Sequence, residues 1–120
     1  MAQDFRRYSK PAVGTSPATV HTSNSNDALV GISISNILGS TILVDCYMTG
    51  STYTLTFWDQ GTGGSETIYL VKNAPIPSGG ALQVLAGGAK FNMQSGDAIL
   101  VKSDTASSAD VWVSAVDAIS

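Results

Sequence analysis

Hydrophobic and polar residues alternate along most of the chain with the two-residue period of a β-strand. The clearest example is the stretch from Leu29 to Asn36, where Ile32 and Ile34 fall on one side and serines fall on the other. A strand with this pattern buries one face and leaves the other face to solvent or to hydrogen bonds. Helical periodicity is almost absent, so the sequence predicts an all-β fold.

Strand-like stretches follow one another along the chain, separated by turns rich in glycine, proline, asparagine and serine. Short strands at intervals of about 8 to 12 residues are typical of sandwiches and jelly rolls. The fold class we expect is a single antiparallel β-sandwich or jelly roll of about eight short strands. The predicted strands span residues 18–25, 29–36, 41–49, 53–58, 67–72, 81–86, 90–93, 98–102 and 109–118.

Residues 41–49 and 53–58 are predicted to form a hairpin, which a glycine-rich stretch follows. Glycine supplies no side-chain packing, so the segment from Gly61 to Ser65 is interpreted as an exposed loop. A phosphate-binding loop would be followed by a helix, whereas a strand pattern follows this one. The glycines therefore do not indicate a phosphate site.

Apolar positions that share a face within these strands predict the core of the sandwich. We expect the following residues to be mostly buried: Ile32, Ile34, Val44, Cys46, Leu70, Leu82, Val84, Leu100, Val111 and Val113. Cys46 is the only cysteine, which excludes a disulfide within the chain. On a buried face it is expected to act as a small hydrophobe with a raised pKa and little reactivity.

Charged residues are sparse and unevenly distributed. They make up 12% of the chain, about half of the usual fraction of roughly 25%. Residues 1–10 carry three cations against one acid, a formal charge of +2, whereas residues 11–120 carry three cations against eight acids, a formal charge of −5. We expect residues 1–17 to form an extended N-terminal arm that docks on an acidic neighbouring surface, and residues 18–120 to form the sandwich domain.

Two kinds of partner are disfavoured by the same composition. An acidic body lacks the many cations on one face that phosphate neutralisation needs, so nucleic acid is not expected. The chain has no run of 18 apolar residues, and charged residues occupy the start of the sequence, so neither a membrane span nor an ordinary signal peptide is expected.

Residue types that carry chemistry are few. The single histidine, His21, lies in a stretch rich in serine and threonine, with no second histidine for a metal site. The possible carboxylate pairs, Asp45 with Asp59 and Asp97 with Asp104, fall at strand ends or turns, where aspartate usually caps backbone N–H groups. We therefore expect no catalytic residues, no metal site and no cofactor, and a protein that is not an enzyme.

Aromatic residues offer the better candidates for a binding surface. Trp58 and Trp112 lie out of phase with the apolar residues of their strands, so we expect both to face a second protein surface, where aromatic contacts are favoured. Together with the charged arm they make up the predicted partner-binding set: Phe5, Arg6, Arg7, Tyr8, Lys10, Trp58 and Trp112. A carbohydrate platform formed by exposed aromatic rings is the alternative.

Several segments resemble one class of proteins. They read IYLVKNAPIPSGGALQVL at 68–85, GGAK at 87–90, QSGD at 94–97, VKSDTASS at 101–108, VSAVDAIS at 113–120 and YSKPAVGTS at 8–16. In these segments the chain resembles small β-rich virion structural proteins of tailed bacteriophages, especially those of marine and cyanobacterial phages. The stretch from Tyr53 to Glu66 looks like an insertion relative to them.

The resemblance implies a non-enzymatic particle component found in the virion and assembled in the host cytoplasm. Its expected role is that of an accessory or decoration subunit docking on the capsid, neck or tail, with other virion proteins as partners and self-association into a homo-oligomer. The alternative function is a carbohydrate-binding module or small glycan-processing protein of a phage tail.

Overall fold

The computed structural model of the protein describes residues 4–23, 27–50, 66–85, 91–93 and 96–117. In these ranges the chain forms β-strands and no helix, as the alternating pattern predicts. The strands are β1 (Asp4–Val13), β2 (Ala18–Thr22), β3 (Asp27–Asn36), β4 (Ile42–Gly50), β5 (Glu66–Ile76), β6 (Ala81–Leu85), β7 (Phe91–Met93), β8 (Ala98–Ser103) and β9 (Ala109–Asp117).

Two antiparallel sheets make up the domain. In sheet A the strand order is β1-β9-β3-β6, with β7 also pairing with β3, and in sheet B it is β2-β8-β4-β5. Strands of the first half of the chain pair with strands of the second half in nested order: β1 with β9, β2 with β8, β3 with β6 and β7, and β4 with β5. A long hairpin rolled up in this way is a jelly roll, so the predicted fold class is confirmed.

The core lies between the two sheets and contains the apolar residues that face inward. Of the ten residues predicted to be buried, six are at most 2% exposed: Ile32, Ile34, Val44, Cys46, Val111 and Val113. The other four, Leu70, Leu82, Val84 and Leu100, are half-buried. In β8 the inward side carries Ile99 and Val101, so strand alternation turns Leu100 outward.

The N-terminal segment differs from the expectation of a separate arm. Residues 4–13 are extended, but they form an edge strand of sheet A that pairs with β9 from Asp4 to Val13. The apolar side chain of Val13 is 2% exposed and belongs to the core. Pro11 is tolerated because it lies at an irregularity of an edge strand, next to Ala12 with a φ of 52°.

Strand β5 is also longer than predicted. Its turn residues were expected to end it after Lys72, yet the strand continues to Ile76. Asn73 takes a φ of 53°, and its N–H donates to Asp45 Oδ1 at 2.7 Å, which accommodates a break in register with β4. Pro75 costs little because β5 is the last of the described strands of sheet B, and its far side pairs with none of them. The predicted strand 53–58, Trp58 and the loop from Gly61 to Ser65 lie outside the described residues.

Candidate binding surfaces on sheet A

Strand β1 separates the predicted partner-binding residues by their side of the sheet. Residues directly opposite each other on paired strands share a face. Arg7 lies opposite Ser114, whereas Arg6 lies opposite Ala115, which is 1% exposed and faces the core. Arg7 therefore belongs to the outer face of sheet A, and Arg6 to the other side of the edge strand. By the same register, Phe5 is on the outer face and Lys10 is on the side of Arg6.

Tyr8 is placed differently from its predicted role as a contact for a partner. It lies opposite the buried Val113 and is itself half-buried. Its ring stacks on that of His21 in β2, with centroids 3.7 Å apart and planes 16° from parallel. Tyr8 is thus engaged inside the domain, where it connects the edge of sheet A to the edge of sheet B.

His21 belongs to a buried polar cluster that the sequence did not indicate. His21 Nε2 lies 2.8 Å from Asp27 Oδ2, and Ser23 Oγ donates to the same oxygen at 2.9 Å. Asp27 is 2% exposed. The three residues are only four and six positions apart, but they meet because the chain crosses from sheet B to sheet A between β2 and β3.

This cluster contains the three residue types of a hydrolase triad, but its connectivity is different. In a triad the serine donates to the histidine, which the carboxylate orients from its other ring nitrogen. Here Ser23 and His21 both contact one oxygen of Asp27, which stands between them. These hydrogen bonds join the segment after β2 to the start of β3.

Of the four aspartates predicted to cap backbone N–H groups, Asp45 and Asp104 do so, and Asp59 lies outside the described residues. Asp104 Oδ1 accepts from Leu43 N at 3.0 Å and from Thr105 Oγ1 at 3.0 Å. These hydrogen bonds, the one from Leu43 first, lower the pKa of Asp104 below its ordinary value. Asp45 caps Asn73, and Asp97 follows Gly96, which has a φ of 93° in the β7–β8 turn.

Cys46 has the environment predicted for it. Its side chain is completely buried in the core, and desolvation raises the pKa of the thiol to about 12. Because the thiolate is the nucleophilic form, this environment keeps Cys46 as the less nucleophilic thiol.

Trp112 lies on the outer face of sheet A, as its phase in β9 predicts, and is 42% exposed. Its indole lines two grooves, and Ser9 lines both of them as well. One, of about 470 Å³, is lined by Arg7, Ser9, Ser114 and the indole itself. The other, of about 310 Å³, includes Ser35, Lys10 and Asp110 in its lining. The structure thus brings Arg7 and Trp112 of the predicted set together on one open surface.

Sheet B presents a second aromatic surface. Tyr47 and Tyr69 lie opposite each other on β4 and β5, with ring centroids 5.1 Å apart, and Lys72 Nζ lies 4.8 Å from the centroid of Tyr69. Desolvation, assisted by the neighbouring Tyr69 and Asp45, raises the pKa of Tyr47. Both tyrosines belong to the aromatic residues for which a carbohydrate platform is the alternative to a core or interface role.

No metal centre emerges from the described part of the chain, which contains no group of three or more histidine, cysteine or acidic side chains placed to hold an ion. The same residues include no helix that could span a membrane. A scan against protein-family models finds no matching family, and a search of curated proteins finds no match either. The function is therefore argued from the surfaces themselves.

Proposed function

We propose that the chain is a non-enzymatic structural subunit of a bacteriophage virion, an accessory or decoration protein that docks on the capsid, neck or tail. The observation that carries the proposal is the open edge of β1. This strand has ten residues and lies at the end of sheet A, with β9 on one side and no other described strand on the other. An unpaired edge offers backbone N–H and C=O groups to a strand from another chain.

The side chains of the edge favour an acidic partner. Arg6, Arg7 and Lys10 are all exposed, and Phe5 is 87% exposed at the start of the strand. Cations on an edge strand discourage pairing with a second copy of the same edge, because like charges would face each other. An extended acidic segment of a neighbouring virion subunit would instead pair with Arg6 and Lys10 and cover Phe5.

The edge of β1 is too small to form a stable interface alone. A strand of ten residues is about 33 Å long, and a stable protein interface buries about 800 Å² on each partner. We infer that surface beyond the edge joins the contact, and that self-association of the chain does not use this edge. Jelly rolls include viral capsid domains and lectins, so the fold is compatible with the role without establishing it.

The test measures incorporation into particles. Phage particles are assembled in cells that supply the wild-type or a variant chain, purified on a density gradient, and analysed by quantitative mass spectrometry for the number of copies per particle. The Arg6→Glu/Lys10→Glu double variant is expected to lower the copy number at least tenfold. Substitution is preferred to truncation, because removing β1 would also expose the edge of β9 and unfold part of sheet A.

The matched control is Lys72→Glu/Lys102→Glu, which makes the same charge change on exposed lysines of sheet B. Its copy number should stay close to the wild-type value. If purified wild-type particles lack the chain, the virion role is wrong. If both double variants load equally well, the edge of β1 is not the docking site.

A further inference from the structure

The indole of Trp112 lies over Gly31, on the neighbouring strand β3. A Cβ atom built on Gly31 would come within 3.7 Å of Trp112 Cζ3 and 3.8 Å of Cη2, which is ordinary van der Waals contact. The six-membered ring of the indole therefore lies beside the surface of β3 at Gly31. An aromatic ring laid across a sheet glycine also restores the packing that the glycine lacks.

The exposed part of this indole is flanked by hydroxyl groups. Ser114 lines the larger groove, Ser35 lines the smaller one, and Ser9 lines both. Volumes of about 470 and 310 Å³ lie within the range of small-molecule sites, roughly 300 to 1,000 Å³. A ligand that fits this lining has an apolar face to stack on the ring and hydroxyl groups around its rim, which describes a sugar ring.

The charges differ between the two grooves. Arg7 lines the larger groove and Asp110 the smaller one. Lys10 also borders the smaller groove, although its register in β1 places it on the side of Arg6. Asp110 Oδ1 already accepts the N–H of Ala12 at 2.9 Å. A guanidinium binds a carboxylate through two parallel hydrogen bonds, so the Arg7 groove favours an acidic unit and the other groove a neutral one.

We propose that the outer face of sheet A binds an acidic oligosaccharide, with one sugar ring stacked on Trp112 and a sugar carboxylate held by Arg7. The site does not depend on the virion role, since docking was assigned to the edge of β1, and the two arginines involved point to opposite sides of the strand. The chain could use such a site to attach to an acidic glycan whether or not it is part of a virion.

The first experiment uses the wild-type chain labelled with ¹⁵N. It is titrated with a panel of oligosaccharides that carry uronate or sialate residues, and with their neutral counterparts. At least one acidic member should shift the amide signals of β1, β9 and Gly31 and the indole N–H signal of Trp112 in a saturable way, while the signals of β4 and β5 stay unchanged. The indole signal is assigned with Trp112→Phe.

The second experiment compares matched variants against the acidic sugar that binds. Trp112→Ala should weaken binding at least tenfold, whereas Tyr69→Ala, which removes a ring of similar exposure, 45% against 42%, from sheet B should not. Arg7→Gln should reduce the preference for the acidic over the neutral sugar at least fivefold, and Arg6→Gln should leave it unchanged. Thermal melting of each variant confirms that it is folded.

Three results would overturn the proposal. The first is the absence of saturable shifts with every acidic sugar of the panel, and the second is a shift pattern centred on sheet B. The third is equal loss of binding in Arg6→Gln and Arg7→Gln, which would indicate general charge attraction rather than a carboxylate site. None of these results bears on the copy number in particles, so the glycan site and the docking edge can fail separately.

Discussion

The two ends of β3 are each held by a buried polar side chain, but the two side chains work differently. At the first end Asp27, 2% exposed, is the acceptor for side chains from the segment of β2. At the other end Asn36, 4% exposed, donates through Nδ2 to the carbonyl oxygens of Ser40 and Ile76 at 2.7 and 2.9 Å. Its Oδ1 accepts the N–H of Leu38 at 2.8 Å.

Both side chains connect sheet A to sheet B, because β2 and β5 belong to the opposite sheet. The Asp27 end depends on the identity of several side chains at once, whereas the Asn36 end depends on one side chain and on backbone groups that every residue supplies. We therefore expect that a substitution that removes the Nδ2 donor of Asn36 breaks its connection between the sheets. The Asp27 cluster, in contrast, can lose one side chain and keep part of its hydrogen bonds. The following predictions test this difference.

The largest effect is expected for Asn36→Asp. The substitution replaces an amide that donates to two carbonyl oxygens with a carboxylate that faces them, in a site that is 4% exposed. An uncompensated buried charge costs about 3–5 kcal/mol, a large part of a total stability of about 5–15 kcal/mol. Urea denaturation should show a strongly lowered free energy of unfolding or no folded protein.

The matched control for this change is Asn92→Asp. Asn92 is exposed in β7, so the same chemical change should alter the free energy of unfolding by no more than about 0.5 kcal/mol. Equal costs for the two variants would mean that the hydrogen bonds of Asn36 do not hold the sheets together.

The next effect in size is expected for Asp27→Ala. It removes the acceptor shared by His21 Nε2 and Ser23 Oγ, and each buried polar group that loses its partner costs about 1–3 kcal/mol. We expect a total loss of about 3 kcal/mol, measured by urea denaturation, and a smaller loss for Asp27→Asn, which keeps an acceptor oxygen. Asp110→Ala, at an exposed aspartate, serves as the control and should cost less than about 1 kcal/mol. A loss for Asp27→Ala no larger than that of the control would contradict the role of the cluster.

The contacts at these two ends were not predicted from the sequence, whereas the strands were. Alternation within strands predicts the sheets, most of the core and the outward position of Trp112, because side-chain direction has a period of two. It does not indicate that His21, Ser23 and Asp27 meet, since that contact depends on how the chain crosses between sheets. The same limit explains why residues 4–13 looked like a separate arm, because the apolar positions that hold them, Tyr8 and Val13, are too few to form a pattern.

On the binding surfaces, too, the side on which a residue lies within its strand is predictable, and contacts between distant strands are not. The opposite phases of Arg6 and Arg7 could be anticipated once β1 was known to be a strand. The position of the Trp112 indole beside Gly31 could not, because it depends on the pairing of β9 with β3, two strands far apart in sequence. Long-range register of this kind is set by the fold as a whole rather than by local sequence.

A moderate effect is expected for Tyr8→Ala, which removes the ring stacked on His21 beside the Asp27 cluster. Stacked aromatic pairs contribute about 0.5–1.5 kcal/mol beyond the area they bury, so we expect a loss of about 2 kcal/mol in the free energy of unfolding. Phe5→Ala is the control on the same strand, and at 87% exposure it should change stability by less than about 0.5 kcal/mol. Similar losses for both would mean that β1 is held by its backbone hydrogen bonds alone.

The smallest effect is expected in the pH dependence of the free energy of unfolding. It arises near the Asn36 end of β3, where Asp104 accepts the N–H of Leu43 at the start of β4. Hydrogen bonds lower the pKa of Asp104 in the folded state, so this carboxylate adds stability at a pH above its ordinary pKa of 3.8 and loses it as the pH falls through the lower folded value.

Asp104→Asn cannot titrate, so its free energy of unfolding should fall less than that of the wild type between neutral pH and about pH 2. Thr105→Ala, which removes one of the two donors and keeps the carboxylate, should fall by an intermediate amount. Because Asp104 is exposed, the difference is expected to be small, and urea denaturation at a series of pH values is the measurement. Identical acid dependence in all three proteins would show that the cap on Leu43 is equally strong when Asp104 is protonated.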